Sequence, residues 1–248
     1  MTHISLFAGI GGIDLAGEWA GFRTIAQVER NSYCWRVLEK HWPGVHRVKE
    51  IRDFPDQDYG AVTLISGGFP CQPFSAAGKR RGTKDDRYLW PEMLRIIQAV
   101  KPAWVLAENV PGLLTIERGM VFESMLVDLE IAEYEIIPPF LIPVAGIGAD
   151  QLRYRIFIVA HTTSERMGNN GGKGKIKNDM ETGDNNGIRI STYGAGRSFE
   201  LDQSRMDRII NGIPDQLDRN KILGNAVVPA QICPILKAIA EVEKANDN

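Results

Sequence analysis

The chain has 248 residues, of which 44% are hydrophobic and 24% charged, and a formal net charge of −2. A chain of this make-up can bury a core, which excludes disorder throughout, and its balance of 29 basic against 31 acidic side chains excludes a protein that coats nucleic acid by bulk charge. Its cysteines, Cys34, Cys71 and Cys233, lie far apart, with neither zinc spacing nor a disulfide framework, so a reducing, cytoplasmic setting is expected. The uncharged stretch from Ile136 to Ala149 is too short and too broken by prolines to span a bilayer. The apolar N-terminus lacks a basic leader and is interrupted by Asp14, which argues against a signal peptide.

Along the chain, apolar runs predict strands at Ile4–Phe7, Thr24–Val28, Ala61–Ser66, Ala103–Ala107 and Arg155–Ala160. Helical spacing predicts helices at Gly12–Ala20, at Tyr33–His41, from after Asp86 to Val100, and at Val121–Glu133, where Val121, Phe122, Met125, Leu126 and Leu129 share a face. This alternation implies an α/β fold with an open, doubly wound, mainly parallel sheet covered on both faces. After Ala160 the composition turns to Gly, Asn, Ser and Thr, marking a small loop-rich region over 161–222, and a last helix is predicted at Pro229–Glu243. Residues 1–160 thus form the main domain, and 223–248 a C-terminal segment that carries the last helix.

Chemistry-bearing residues cluster at the predicted strand ends. Phe7-Ala8-Gly9-Ile10-Gly11-Gly12 follows the first strand and opens the first helix, where glycines admit close approach and the helix N-terminus offers free N–H groups. Glu29 closes the second strand, where a carboxylate can accept both hydroxyls of a ribose. Loop and carboxylate together imply an adenosine-containing cofactor. The loop lacks the G-x-G-x-x-G spacing that serves a pyrophosphate, which leans away from NAD. Cys71 sits in a proline-locked turn, Pro70-Cys71-Gln72-Pro73, after the strand at 61–66, unlike Cys34 and Cys233, which lie in apolar helical contexts. Lys79, Arg80 and Arg81 nearby would lower a thiolate pKa. Glu108 ends another strand, and Arg153 and Arg155, two apart on an extended segment, point the same way and could clamp an oxygen. Taken singly, each could be a tight turn, a buried thiol or a surface ion pair.

In this order the residues resemble the cytosine carbon-5 DNA methyltransferases, the Dcm-like enzymes of restriction-modification systems and phages. Phe7–Gly12 is similar to the family's cofactor loop, Glu29 to its ribose carboxylate, and Pro70-Cys71-Gln72-Pro73-Phe74-Ser75 to its nucleophile motif. Glu108-Asn109-Val110 is similar to its E-N-V, Gln151-Leu152-Arg153-Tyr154-Arg155 to its Q-x-R-x-R, and Leu223-Gly224-Asn225-Ala226-Val227-Val228-Pro229 to its C-terminal G-N-x-V-x-P block. There are departures: Glu50-Ile51 stands where the family usually has Asp-Ile, Asp150 where it often has Pro, and the recognition slot at 161–222 is short and glycine-rich.

The resemblance implies a Rossmann-like methyltransferase fold with a small target-recognition region, residues 223–248 returning to the catalytic domain beside the first motif, and S-adenosylmethionine as cofactor without a metal. Phe7, Ala8, Gly9, Ile10, Gly11, Gly12, Glu29, Arg30, Glu50, Ile51, Pro70, Leu89, Asn225 and Val227 would bind that cofactor. Cys71 would attack carbon-6 of a flipped-out cytosine, protonated Glu108 would bind N3, Arg155 would hold O2, and Arg153 would support the pocket or a phosphate. Gln72, Ser75, Lys79, Arg80, Arg81 and Lys84 would meet the DNA, the last four from a basic segment, Lys79–Arg87, with salt-dependent affinity. Duplex DNA is the implied partner of a monomeric enzyme, a cognate restriction endonuclease being admitted by the resemblance. Three other readings remain open: the same chemistry on transfer RNA, a catalytically impaired prophage remnant that binds DNA, and an NAD enzyme built on the first glycine loop.

Overall fold

A computed structural model describes residues 1–55, 58–70, 88–144, 153–162, 191–192 and 226–246. In chain order they form β1 (Thr2–Leu6), α1 (Gly12–Ala20), β2 (Arg23–Val28), α2 (Ser32–His41), β3 (His46–Val48), β4 (Leu64–Gly67), α3 (Trp90–Val100), β5 (Trp104–Asn109), α4 (Met120–Ile131), β6 (Tyr134–Pro143), β7 (Tyr154–Thr162), β8 (Ser191–Thr192) and α5 (Pro229–Asn246). The strands make one sheet in the order β3-β2-β1-β4-β5-β7-β6-β8. From β3 to β5 every pairing is parallel, whereas β7 runs antiparallel to both β5 and β6.

The sequence dictates these elements locally. Every residue of β4 and β5 is buried, which explains why both read as unbroken apolar runs. Asn31 caps α2, its side-chain oxygen accepting from the N–H groups of Tyr33 and Cys34. Pro91 in the first turn of α3 is pre-set for a helix start. Gly11 and Gly21 bracket α1, both with left-handed backbone.

The two faces of the sheet differ. On one, Trp90, Met93, Ile96 and Ile97 of α3 and Val121, Phe122, Met125 and Leu129 of α4 pack with Ile4, Leu6, Ile65 and Val105 into a wholly apolar core. On the other, Ile13 and Ala16 of α1 meet Ile232, Leu236 and Ile239 of α5 over Leu64, Leu106 and Phe157. This second face also buries a polar patch. Asp14 accepts hydrogen bonds from Ser5 Oγ and Gln27 Nε2, both at 2.8 Å. His3 bridges Thr24 and Ser66 at 3.0 and 2.7 Å, and burial lowers its pKa, so it sits there neutral. Paired in this way, the patch escapes most of the cost of burying unsatisfied polar groups, about 1–3 kcal/mol each.

Several elements differ from the sequence reading. β3 was not expected, because His46-Arg47-Val48 has no apolar run. The uncharged stretch beginning at Ile136 lies largely in β6, where Pro138 and Pro139 coincide with a shift of register between Ile137 and Phe140; an irregularity of this kind accommodates residues that cannot donate to the ladder. α5 runs on to Asn246, and β7 to Thr162. Of the loop-rich region at 161–222, Ser191–Thr192 pairs in parallel with β6 and β7 ends within it; the remainder lies outside the described residues, as do Cys71 to Arg87. No helix among the described residues is long and apolar enough to cross a membrane.

Candidate active site

The site lies along one rim of the sheet. β1, β2, β4 and β5 run parallel, so their C-terminal ends share that rim, and the strand order reverses between β1 and β4, which opens a crevice outside their ends. Because β7 is antiparallel to β5, with Glu108 opposite Phe157 and Asn109 opposite Ile156, the start of β7 comes to the same rim. Arg155 therefore works from the beginning of its strand, where the sequence reading also had it, yet reaches the rim made by the C-terminal ends of the parallel strands.

The glycine loop leaves β1 at Phe7, and Phe7, Gly9 and Gly11 all take positive φ, at 55°, 58° and 85°. A non-glycine residue in this conformation is uncommon, and at Phe7 it turns the chain sharply out of the strand. The loop is tied to its neighbours: Ala8 N–H donates to the Val28 carbonyl at 2.9 Å, and Gly9 N–H to Glu29 Oε2 at 2.7 Å. The other Glu29 oxygen accepts from Asn31 N–H at 2.6 Å. Burial raises the Glu29 pKa, while the backbone N–H groups of Asn31, Gly9 and Arg30 oppose the rise by holding the charged form. A Cβ on Gly9 would meet nothing within 4 Å, so the loop is open on that side. A Cβ on Gly12 would run into the Val227 carbonyl oxygen, which brings the C-terminal block against the N-terminus of α1.

Further along the rim, Glu108 is only 7% exposed and its Oε1 lies 2.7 Å from Arg155 Nε. Burial pushes its carboxyl up to about 7, with Arg155 and then Arg153 opposing that rise. Arg153 is itself pulled down to about 10, by burial and by the neighbouring Arg155 charge, against the attraction of Glu108. Glu108 thus holds its proton much more readily than an ordinary carboxyl, beside two guanidinium groups. Gly68, next to the end of β4, makes room for it: a Cβ there would stand 2.7 Å from Glu108 Oε2.

The structure brings Glu108, Arg153 and Arg155 together, and on the same rim it sets Phe7 to Gly12 beside Glu29. Arg30 and Glu50 lie next to Glu29 as an exposed ion pair, Nε to Oε1 3.3 Å. Ile51 is buried, Leu89 packs against the core at the start of α3, and Pro70 is the exposed end of the segment after β4. Cys71, Gln72, Ser75, Lys79, Arg80, Arg81, Lys84 and Asn225 lie outside the described residues. Cys34 and Cys233 are buried as expected, and burial together with the nearby Glu29 charge pushes the Cys34 thiol up to about 12, which leaves it inert.

Two contacts were missed by sequence reasoning. Gly68, just after the strand at 61–66, was not singled out. Trp42 was not singled out: its indole fills the space where a Gly11 Cβ would be, and its Nε1–H donates to Glu18 Oε1 at 2.6 Å, bracing the glycine loop from behind. Nothing in the local pattern around Trp42 signals that role, because its partners lie in a different element.

The sequence model of the C-5 cytosine-specific DNA methylases matches residues 1–193. The chain belongs to that family. Among curated methylases, the type II methyltransferase M.PspPI of Psychrobacter sp. is 36% identical over 165 residues, 64% of this chain and 39% of the relative. M.FnuDI of Fusobacterium nucleatum is 35% identical over 160 residues, 64% of this chain and 46% of the relative. The chain thus spans less than half the length of either methyltransferase. Two solved structures share the fold of this chain. The Dnmt2 methyltransferase of S. pombe has a TM-score of 0.55 at 18% identity, covering 71% of this chain and 58% of that one. A Spodoptera frugiperda DNMT2 variant has a TM-score of 0.54 at 20% identity, covering 87% and 61%.

Proposed function

We propose that this methylase transfers a methyl group from S-adenosylmethionine to carbon-5 of cytosine in a short duplex DNA sequence. The observation that carries the reading is the buried Glu108–Arg155 pair on the rim of the glycine loop, with the Glu108 carboxyl raised to about 7. Cytosine carbon-5 is a poor nucleophile. A thiolate attack on carbon-6 by Cys71 would turn the ring into an enamine and make carbon-5 reactive, and negative charge would develop at N3. A neutral Glu108 would hydrogen-bond N3 and relieve that charge, while Arg155 would hold O2 and keep the carboxyl oriented. Release of the carbon-5 proton would then expel Cys71. Because a stacked base is out of reach, the target cytosine would have to leave the helix.

The residues fit the cofactor. The glycine loop turns at three left-handed positions beside open space, and Glu29 offers a fixed carboxylate within reach of that loop. Glu29 would accept the ribose hydroxyls, Glu50 the adenine amino group, and Val227 would close the pocket. The cofactor supplies the activated methyl group. Residues 1–160 would carry this chemistry and 161–222 the choice of DNA sequence, in a cytoplasmic monomer; a cognate restriction endonuclease is one partner this reading admits.

The test is expression in a bacterium without its own cytosine methylation, followed by genome sequencing with a cytosine-conversion method. Protected cytosines within one short motif, lost with Cys71→Ser, are the expected result. A soluble, folded protein that protects no cytosine, or methylates purified transfer RNA while leaving duplex DNA untouched, would overturn the reading.

A further inference from the structure

Arg155 stands where the sheet supports it little. The pairing of β5 with β7 stops at Asn109 opposite Ile156, just short of Arg155, whose strand partner among the described residues is Ile142 of β6. The pairing of β8 with β6 stops in turn at Leu141, just short of Ile142. The guanidinium moves with this strand start, because Arg155 Nη1 donates to the Tyr154 carbonyl oxygen at 2.9 Å while Nε meets Glu108. Side chains alternate along a strand, so Glu108 shares a face with Leu106, and Arg155 with Phe157; it is the face that α5 covers. The tie that the sheet lacks comes from that helix: the Gln231 amide, through Nε2, donates to the Ile142 carbonyl oxygen. Gln231 is 1% exposed, and its Oε1 is buried without a hydrogen-bond partner. An apolar side chain would fill the same space without that cost, so packing alone does not call for an amide here.

We propose that Gln231 is a positioning residue for Arg155. By holding the Ile142 carbonyl, it fixes the end of β6 on which Arg155 rests and keeps the guanidinium on the Glu108 carboxyl. Just before α5, the Val227 carbonyl oxygen abuts Gly12, so the same stretch of chain sets the Glu108–Arg155 pair relative to the glycine loop. The proposal rests on the reading of Glu108 and Arg155 as the pair that meets the cytosine ring. A displacement of about an ångström between reacting groups is enough to slow a reaction about a hundredfold, so a bond that steadies this strand start has a catalytic consequence.

Two variants isolate the bond. Gln231→Met keeps the length and bulk but has no donor, and Gln231→Asn keeps the amide but draws it back from the Ile142 carbonyl. Both are expected to lower the single-turnover methylation rate at saturating S-adenosylmethionine about tenfold, to leave the cofactor Kd within about twofold, and to leave Tm within about 3 °C. The charges that oppose the rise of the Glu108 pKa are Arg155 and then Arg153. With Arg155 held less closely, that opposition weakens, and Glu108 is expected to titrate about half a pH unit higher in both variants, read by carbon-13 NMR. An unchanged rate with an unchanged Glu108 titration would overturn the proposal. So would a fall in rate matched by equal losses of cofactor affinity and Tm, which would mean general loosening. If the unmodified protein methylates nothing, the proposed function fails, while the Glu108 titration in the variants still decides the role of Gln231. If neither variant folds, the unmodified protein decides it. The Gln231 side-chain amide protons are then expected to exchange about tenfold more slowly than those of an exposed glutamine, in step with Arg155 Nε–H, and a protected Arg155 beside a freely exchanging Gln231 would contradict the proposal.

Discussion

Glu29 and Glu108 occupy equivalent places, each at the C-terminal end of a parallel strand on the same rim, and burial raises the pKa of both. Their surroundings then diverge. Glu29 is half-buried and accepts the N–H groups of Gly9, in the glycine loop, and of Asn31, the cap of α2, bonds that favour its charged form against the rise from burial. Glu108 is almost wholly buried, faces two guanidinium groups, and still holds its proton up to about 7. One residue type in one topological position thus takes two settings, a carboxylate that accepts backbone N–H groups at one place on the rim and a carboxyl that keeps its proton to about 7 at another. What separates them is which groups fill the space: backbone dipoles that favour charge without titrating, or a dry pocket whose arginines only partly offset the cost of ionisation.

The comparison breaks most visibly by removing each carboxylate in turn. Glu108→Gln is expected to lower the methylation rate by about 10²–10⁴-fold with cofactor affinity unchanged. Glu29→Gln is expected to raise the cofactor Kd about tenfold while preserving most of the rate at saturation. Equal effects on both parameters in both variants would erase the distinction. Gly68→Ala comes next: its backbone is not in the left-handed region, so the substitution tests only the space beside Glu108 Oε2, and the rate is expected to fall about tenfold in single-turnover kinetics.

The acid also leaves a mark on stability. Because the folded pKa of Glu108 lies above its ordinary value of 4.5, the folded protein keeps a proton that the unfolded chain has lost between 4.5 and about 7. The contribution is full below 4.5, declines through that window and is flat above it. The Tm of the unmodified protein relative to Glu108→Gln should therefore fall as pH rises from about 4.5 to about 7. The smallest effect is expected from Trp42→Phe, which keeps the ring against Gly11 but loses the bond to Glu18: about 0.5 kcal/mol in denaturant unfolding and about a twofold change in cofactor Kd.

Much of this arrangement was legible in the sequence, for physical reasons that also mark its limits. β1, β2, β4, β5 and β7 announce themselves because strands buried on both faces are rich in apolar residues, and β5 and β7 carry unbroken apolar runs over Trp104–Ala107 and Ile156–Ala160. The ends of β1, β2 and β5 are marked by Phe7, Glu29 and Glu108, which change the chemistry abruptly. β3 and β6 were not legible: one is three residues of mixed character, and the other carries a proline pair that reads as a break but lies at a register shift. Arg155 could be named as a clamp, yet its meeting with Glu108 depends on β7 running antiparallel to β5, a fact of topology that no local pattern encodes. Trp42 and Gly68 escaped for a related reason, since each matters only through a partner in another element.

The central claim is that the two carboxylates titrate apart. Carbon-13 NMR of side-chain carboxyls in the cofactor-free protein, assigned with Glu29→Gln and Glu108→Gln, tests it directly. Glu108 is expected to titrate near 7, with Glu29 titrating below it. A Glu108 carboxyl that titrates near the ordinary 4.5 would contradict the account, because no neutral acid would then remain at working pH to meet N3.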